Sequence, residues 1–135
     1  MDGIDQDLFE AAQKVRKHAH VPYSGFHVGA AILADDGKIY AGCNVENAAY
    51  PQGNCAEASA ISAMLAGGGR RIKHILTTGP GDQPVTPCGG CRQRIREFAD
   101  FDTPITCLGA DGGTPLFTSL EQLLPHSFGP EFLDK

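Results

Sequence analysis

The chain has 135 residues, 41% of them hydrophobic and 20% charged, with a net charge of −5. That is enough for one domain with a substantial core, and the acidic balance argues against a general phosphate-binding or nucleic-acid role, which needs clustered Lys and Arg. No apolar run approaches the ~20 residues that span a bilayer. The start "MDGIDQDLFE" is too acidic for a secretory signal. Five cysteines without such a signal point to metal binding or catalysis in the cytoplasm rather than to a disulfide framework.

Apolar residues at Ile4, Leu8, Ala11, Ala12, Val15 and Ala19 recur at helical spacing and predict a first helix over residues 4–19. Asp5 lies near its positive end, and Pro22 marks its stop. The basic run "KVRKHAH", residues 14–20, reads as a solvated helix face. Two β-rich runs, 28–34 and 38–45, flank "DDG" and predict an antiparallel hairpin. Gly29 and Gly42 within them suggest a close backbone approach or a bulge, with a plain turn-proximal glycine as the alternative.

A loop over 46–53 leads into a predicted helix from about Cys55 to Ala66, stopped by "GGG" at 67–69. "IKHILTTG", 72–79, reads as a strand. A Pro- and Gly-rich loop then precedes a helix from Cys88 to about Ala99, with Cys91, Ile95 and Phe98 on its inner stripe. Residues 104–110 predict a further strand, "TPLFT" a short one, and "SLEQLLP" a short terminal helix. The order α-β-β-α-β-α-β-β-α predicts an α/β fold: a single three-layer α-β-α domain over residues 1–135, its mixed five-stranded sheet covered by helices on both faces.

The chemistry concentrates in "NCAEAS", 54–59, and "PCGGC", 87–91. Cys55 and Cys88 each open a predicted helix, where unpaired N–H groups and the dipole favour thiolate. Cys91 follows Cys88 on the same turn. Two such helix starts side by side would gather three sulfurs, and their softness suits Zn²⁺ better than Mg²⁺ or Ca²⁺. "CGGC" alone could be a redox pair, but that leaves Cys55 and Glu57 unexplained. A four-thiolate structural zinc would need Cys43 or Cys107, each in a predicted strand where a small buried thiol is the commoner role. Three ligands leave a position for water, as in a catalytic zinc, and Glu57 is placed to move that water's protons.

"CAE" at 55–57 with "PCGGC" at 87–91 resembles the zinc-dependent nucleoside and nucleobase deaminases. "VPYSGFHVGAAI" at 21–32, "GCNVENAAYP" at 42–51, "PCGGCRQ" at 87–93 and "LLPHSF" at 123–128 narrow the likeness to the small cytidine deaminases with an all-cysteine zinc site. The resemblance implies hydrolysis of cytidine, and of 2′-deoxycytidine, to the uridine counterpart plus ammonia in pyrimidine salvage. It implies zinc held by Cys55, Cys88 and Cys91, attack by a zinc-activated hydroxide at ring C4, and Glu57 as proton shuttle. It further implies that Asn44 and Glu46 bind the ribose hydroxyls, that Phe26 packs on the nucleoside, and that the Ala56 N–H reaches the base carbonyl. Tyr50 and Phe128 would line the site, partly across a subunit boundary of a homotetramer. On residue type alone, Asn44 and Glu46 could be a turn and a solvated charge, and Phe26 and Phe128 core residues.

One position departs from the pattern. Many members of that family carry arginine directly after the glutamate, where it can donate to the thiolates; here the residue is Ala58. Compensation for the negative cluster would then come from the two helix N-termini and from Arg92, whose alternative role is a surface or interface salt bridge. Deamination of a cytosine-bearing antibiotic is a rival activity, against which the intact "NVEN" and "LLPHSF" elements favour the nucleoside. A structural zinc platform is a rival of another kind, opposed by Glu57. A polynucleotide substrate is disfavoured because no basic stripe is present to hold a strand.

Overall fold

The computed structural model describes residues 1–133. Its first helix, α1 (Gly3–Arg16), is capped by Asp2, whose carboxylate accepts from the Asp5 N–H at 2.9 Å. It ends short of the predicted boundary and well before Pro22. The N–H groups of His18 and Ala19 turn back to the carbonyls of Val15 and Arg16, a tightening that unwinds the last turn. Ile4 is exposed and Asp5 is buried, so the apolar stripe begins at Leu8. Thr106 Oγ1 donates to Asp5 Oδ1 at 3.0 Å, and His74 Nε2 lies 3.1 Å from the same oxygen. The acid at the helix start thereby pins α1 to the sheet. Burial pushes the His74 imidazole below its ordinary pKa, while Asp5 and Asp2 pull it back up.

The hairpin forms as predicted, slightly trimmed: β1 (Gly29–Ala34) pairs antiparallel with β2 (Ile39–Cys43). Gly37 turns the chain with φ +80°, donating to Ala34 O at 3.0 Å, a conformation that L side chains resist. After β2 comes a single 3-10 turn, Tyr50–Gln52, and then α2 (Ala56–Ala66), β3 (Ile72–Gly79), α3 (Gly89–Phe98), β4 (Pro104–Gly109) and β5 (Gly112–Ser119). The last strand has eight residues, more than "TPLFT", because Gly112 and Gly113 at φ +100° and +81° return the chain immediately after β4. α4 (Leu120–Leu123) is one turn long and is followed by a 3-10 turn at Pro130–Leu133, so it is not the final element.

The sheet order is β2-β1-β3-β4-β5. Among the described strands only the β3–β4 pair is parallel, which requires a crossover, and α3 supplies it. Side-chain alternation along β1 divides the core. Ala30, Ile32 and Ala34 face α2 and α3 together with Met64, Ile75, Ile95 and Ile105. On the other face Ala31 meets Leu76 and the α1 residues Leu8 and Ala12. Mixed sheet and two helical layers are the architecture that the element order predicted.

Two glycines in the hairpin mark close approaches of helices. A Cβ on Gly29 would strike the carbonyl of Ala12 in α1, and one on Gly42 the backbone of Ser59 and Ala60 in α2. Helices thus press on the hairpin from both faces. No helix among the described residues is long and apolar enough to cross a membrane.

Candidate active site

The N-caps of α2 and α3 are Cys55 and Cys88, both extended in backbone, and Cys91 sits one turn into α3. Their three Sγ atoms all lie within 4.8 Å of one another. Tetrahedral thiolate ligation at about 2.3 Å from Zn²⁺ sets sulfurs roughly 3.8 Å apart, so the trio needs only a small contraction to close on an ion. Cys43 and Cys107 stand outside this group, which has three members among the described residues.

The thiols respond differently to their surroundings. The Cys91 N–H beside Cys88 holds that thiol below its usual value, as expected at a helix start. Burial pushes Cys55 up, against the expectation from its N-cap position, and pushes Cys91 up further, with the neighbouring negative groups adding to it. Three sulfurs this close cannot all ionise in mutual contact unless a cation lies among them. A soft divalent ion resolves that conflict, and the donor set therefore fits zinc.

Glu57, two residues into α2, is 5% exposed. Burial raises its pKa, while its own N–H, the Cys91 thiol and the Arg94 charge lower it. Beside it is a cleft of about 240 Å³, below the usual ~300–1,000 Å³ of pockets for drug-sized ligands and of a size for one base with part of its sugar. Phe26, Val28 and Asn44 form one wall, Ala56 and Glu57 the floor with Cys55 and Cys88, and Thr77, Val85 and Thr86 the other wall. Ala56 is the first helical residue, so its N–H has no intrahelical partner.

The polar residues near the cleft are structurally engaged. Asn44 Oδ1 accepts from Val28 N at 2.9 Å and its Nδ2 donates to Phe26 O at 2.8 Å, which fixes the wall carrying Phe26. Glu46 lies outside the lining. Its carboxylate accepts from Ser24 Oγ and from the N–H groups of Tyr23 and Ser24, contacts that hold its pKa below the usual range, the Ser24 hydroxyl foremost. Ser24 Oγ also accepts from Phe26 N, so one hydroxyl ties the carboxylate to the aromatic wall.

Tyr50 and Phe128 do not line the cleft of their own chain. Tyr50 is 75% exposed and packs edge-on against Tyr23, 5.7 Å between ring centroids. Phe128 is 56% exposed and stacks on Phe132 at 5.2 Å. Gln93 Nε2 donates to its carbonyl at 2.9 Å.

Among the described residues Arg92 touches none of the three thiols and forms no ion pair. Its guanidinium donates to Pro87 O at 2.8 Å and Leu123 O at 2.9 Å, bracing the loop that delivers Cys88. The cation that touches the thiols is Arg94, with Nη1 3.8 Å from Cys91 Sγ. Neither Arg94 nor the wall residues Thr77 and Val85 carried a signal in the sequence. Thr77 Oγ1 donates to Val85 O at 2.6 Å, a contact that depends on how the loop after β3 folds back.

A three-layer sandwich presenting three thiols and a buried glutamate at two helix starts is the framework of the zinc-dependent deaminases. Residues 3–107 match the family described as the cytidine and deoxycytidylate deaminase zinc-binding region. A cytidine deaminase of Sporosarcina psychrophila is 42% identical over 95% of this chain and 93% of its own length. The crystal structure of cytidine deaminase from Burkholderia pseudomallei superposes with a TM-score of 0.86 at 40% identity, covering 95% of this chain and all of that one. For the Mycobacterium tuberculosis enzyme the TM-score is 0.82 at 35% identity, over 95% and 99% of the two chains. The chain belongs to the cytidine and deoxycytidylate deaminase family.

Proposed function

We propose that this protein hydrolyses cytidine and 2′-deoxycytidine to the uridine counterparts and ammonia, as a step of pyrimidine salvage. The observation that carries the reading is the buried Glu57 carboxylate beside three convergent thiols on the floor of a cleft sized for one base with part of its sugar. Zinc held by Cys55, Cys88 and Cys91 would polarise a water and bring its pKa toward neutrality. Glu57 takes a proton from the attacking water and passes it to ring N3 as the water oxygen bonds to C4. It then carries the remaining hydroxyl proton to the exocyclic nitrogen. The C4–N bond breaks, ammonia leaves, and C4 keeps a carbonyl. Burial suits Glu57 to this, because a raised pKa makes it a stronger proton acceptor.

Phe26 packs on the nucleoside, the Ala56 N–H meets the base carbonyl oxygen, and Asn44 and Glu46 take the sugar hydroxyls. Asn44 and Glu46 can do so with the lone pairs and N–H left over from their structural contacts. Tyr50 and Phe128 are exposed and lie outside the lining of their own cleft, which suits service at a neighbour's site in a homotetramer of chains that each form a single domain over residues 1–135. Five free cysteines suit a cytoplasmic, reducing compartment.

Purified protein incubated with cytidine should lose the cytosine chromophore, and metal analysis should find about one zinc per chain. Active protein with little or no zinc would sink this mechanism. Glu46→Ala should raise the KM for cytidine by roughly 10- to 100-fold, the range for hydrogen bonds to a charged group, with zinc content unchanged. An unaltered KM would remove Glu46 from the sugar site.

A further inference from the structure

We propose that Arg94, on α3, supplies the positive charge that balances the zinc thiolates, in the place left by Ala58 on α2. This rests on reading Cys55, Cys88 and Cys91 as the zinc ligands. Three thiolates around a divalent ion leave one net negative charge, and an N–H donor at sulfur both offsets it and restrains the thiolate.

Three observations converge on Arg94. It follows Cys91 by one helical turn, and its Nη1 is 3.8 Å from that sulfur, within range of an N–H···S hydrogen bond. A Cβ at Gly90 would stand 3.1 Å from Nη1, so the second glycine of "CGGC" leaves room for the guanidinium. Ala58, immediately after Glu57, lines the same surface groove as Arg94, so its short side chain leaves that space open from the other helix. Glu97 lines this groove too, yet among the described residues it forms no ion pair with Arg94. Arg92 is held by Pro87 and Leu123 and is not free to substitute. The balancing charge thus comes from α3, across from the short Ala58 side chain on α2.

The test compares holoenzyme with Arg94→Gln, Arg94→Lys and the double variant Ala58→Arg/Arg94→Gln. Transfer of zinc to a coloured chelator should be about threefold to thirtyfold faster for Arg94→Gln, the partial exposure of the pair keeping the effect below that of a buried one. In cobalt-substituted protein the thiolate-to-metal charge-transfer band should move to longer wavelength, because a sulfur that loses its N–H donor gives up electrons more readily. At least one charge-restoring variant should bring release and band back toward the parent. Release and band unchanged in Arg94→Gln would overturn the assignment. So would faster release that neither charge-restoring variant corrects, which would mark Arg94 as a packing residue. A parent protein that binds no zinc overturns the ligand reading itself, and its metal content alone reveals that case.

Discussion

Replacing Glu57 with glutamine should abolish most deamination while leaving zinc, fold and cytidine binding close to the parent's. The amide matches the carboxylate in size and still hydrogen-bonds, but it cannot take up and release a proton near neutral pH. General acid–base groups contribute about 10²- to 10⁴-fold, and one residue serving successive transfers belongs at the upper end or beyond. Single-turnover rates with cytidine, set beside metal content and binding of the product uridine, provide the check. A zinc-loaded variant within about tenfold of the parent, less than that usual contribution, would exclude Glu57 from proton transfer. Loss of zinc would show instead that the carboxylate supports the metal.

The second large effect belongs to Cys91→Ala. Cys91 is fully buried and its sulfur lies within 4.8 Å of both partner sulfurs, and its removal leaves two ligands for an ion that needs at least three from protein. Groups that merely orient a ligand are worth about 10- to 100-fold in metal affinity, so loss of a ligand itself should cost on the order of 10³-fold or more. After dialysis against a chelator, zinc and activity should both be gone, and the melting temperature should fall because metal binding is coupled to folding. Cys107→Ala is the control. It deletes another fully buried sulfur, but one outside the trio, so it should lose some packing yet keep its zinc. Retention of tightly bound zinc by Cys91→Ala would refute the three-thiolate centre.

What the sequence made legible follows from how local each signal is. The "DDG" hairpin, the glycine stop after α2 and the cysteines at two helix starts all depend on neighbours a few residues away, and these appear as read. The Gly29 and Gly42 close approaches were half legible: the glycine was visible, the helix against it was not. Buried charge was the main blind spot. Asp5 resembles any acid in a first helical turn, yet its partners are His74 and Thr106. Arg96 looks like a surface residue of α3, but it is 6% exposed, tied to Ser127 and Glu131 and stacked over Phe101 at 4.4 Å. Nothing in a one-dimensional pattern separates such residues from solvated ones, because what buries them comes from distant chain. The sulfur contact expected of Arg92 is made by Arg94 for a similar reason: two residues, about 200° around the helix, decide which guanidinium faces the sulfurs.

The anchor of α1 also bears on the order in which the molecule can be assembled. The Thr106 hydroxyl that completes the Asp5 site is 101 residues downstream, and Gln13 on the same helix donates to Ala110 O, 97 residues away. During synthesis α1 leaves the ribosome first, but its buried carboxylate has only His74 to meet until β4 follows. Seating it earlier would leave that carboxylate short of a donor in a dry site, an arrangement worth avoiding by about 1–3 kcal/mol. The polar fastening of α1 is therefore completed late, after its apolar partners Ala31 and Leu76 are in place, and contacts of such long range slow folding as a whole. A chain ending before residue 104 would have the apolar seat of α1 on Ala31 and Leu76, but neither the Thr106 hydroxyl nor the Ala110 carbonyl that fasten it.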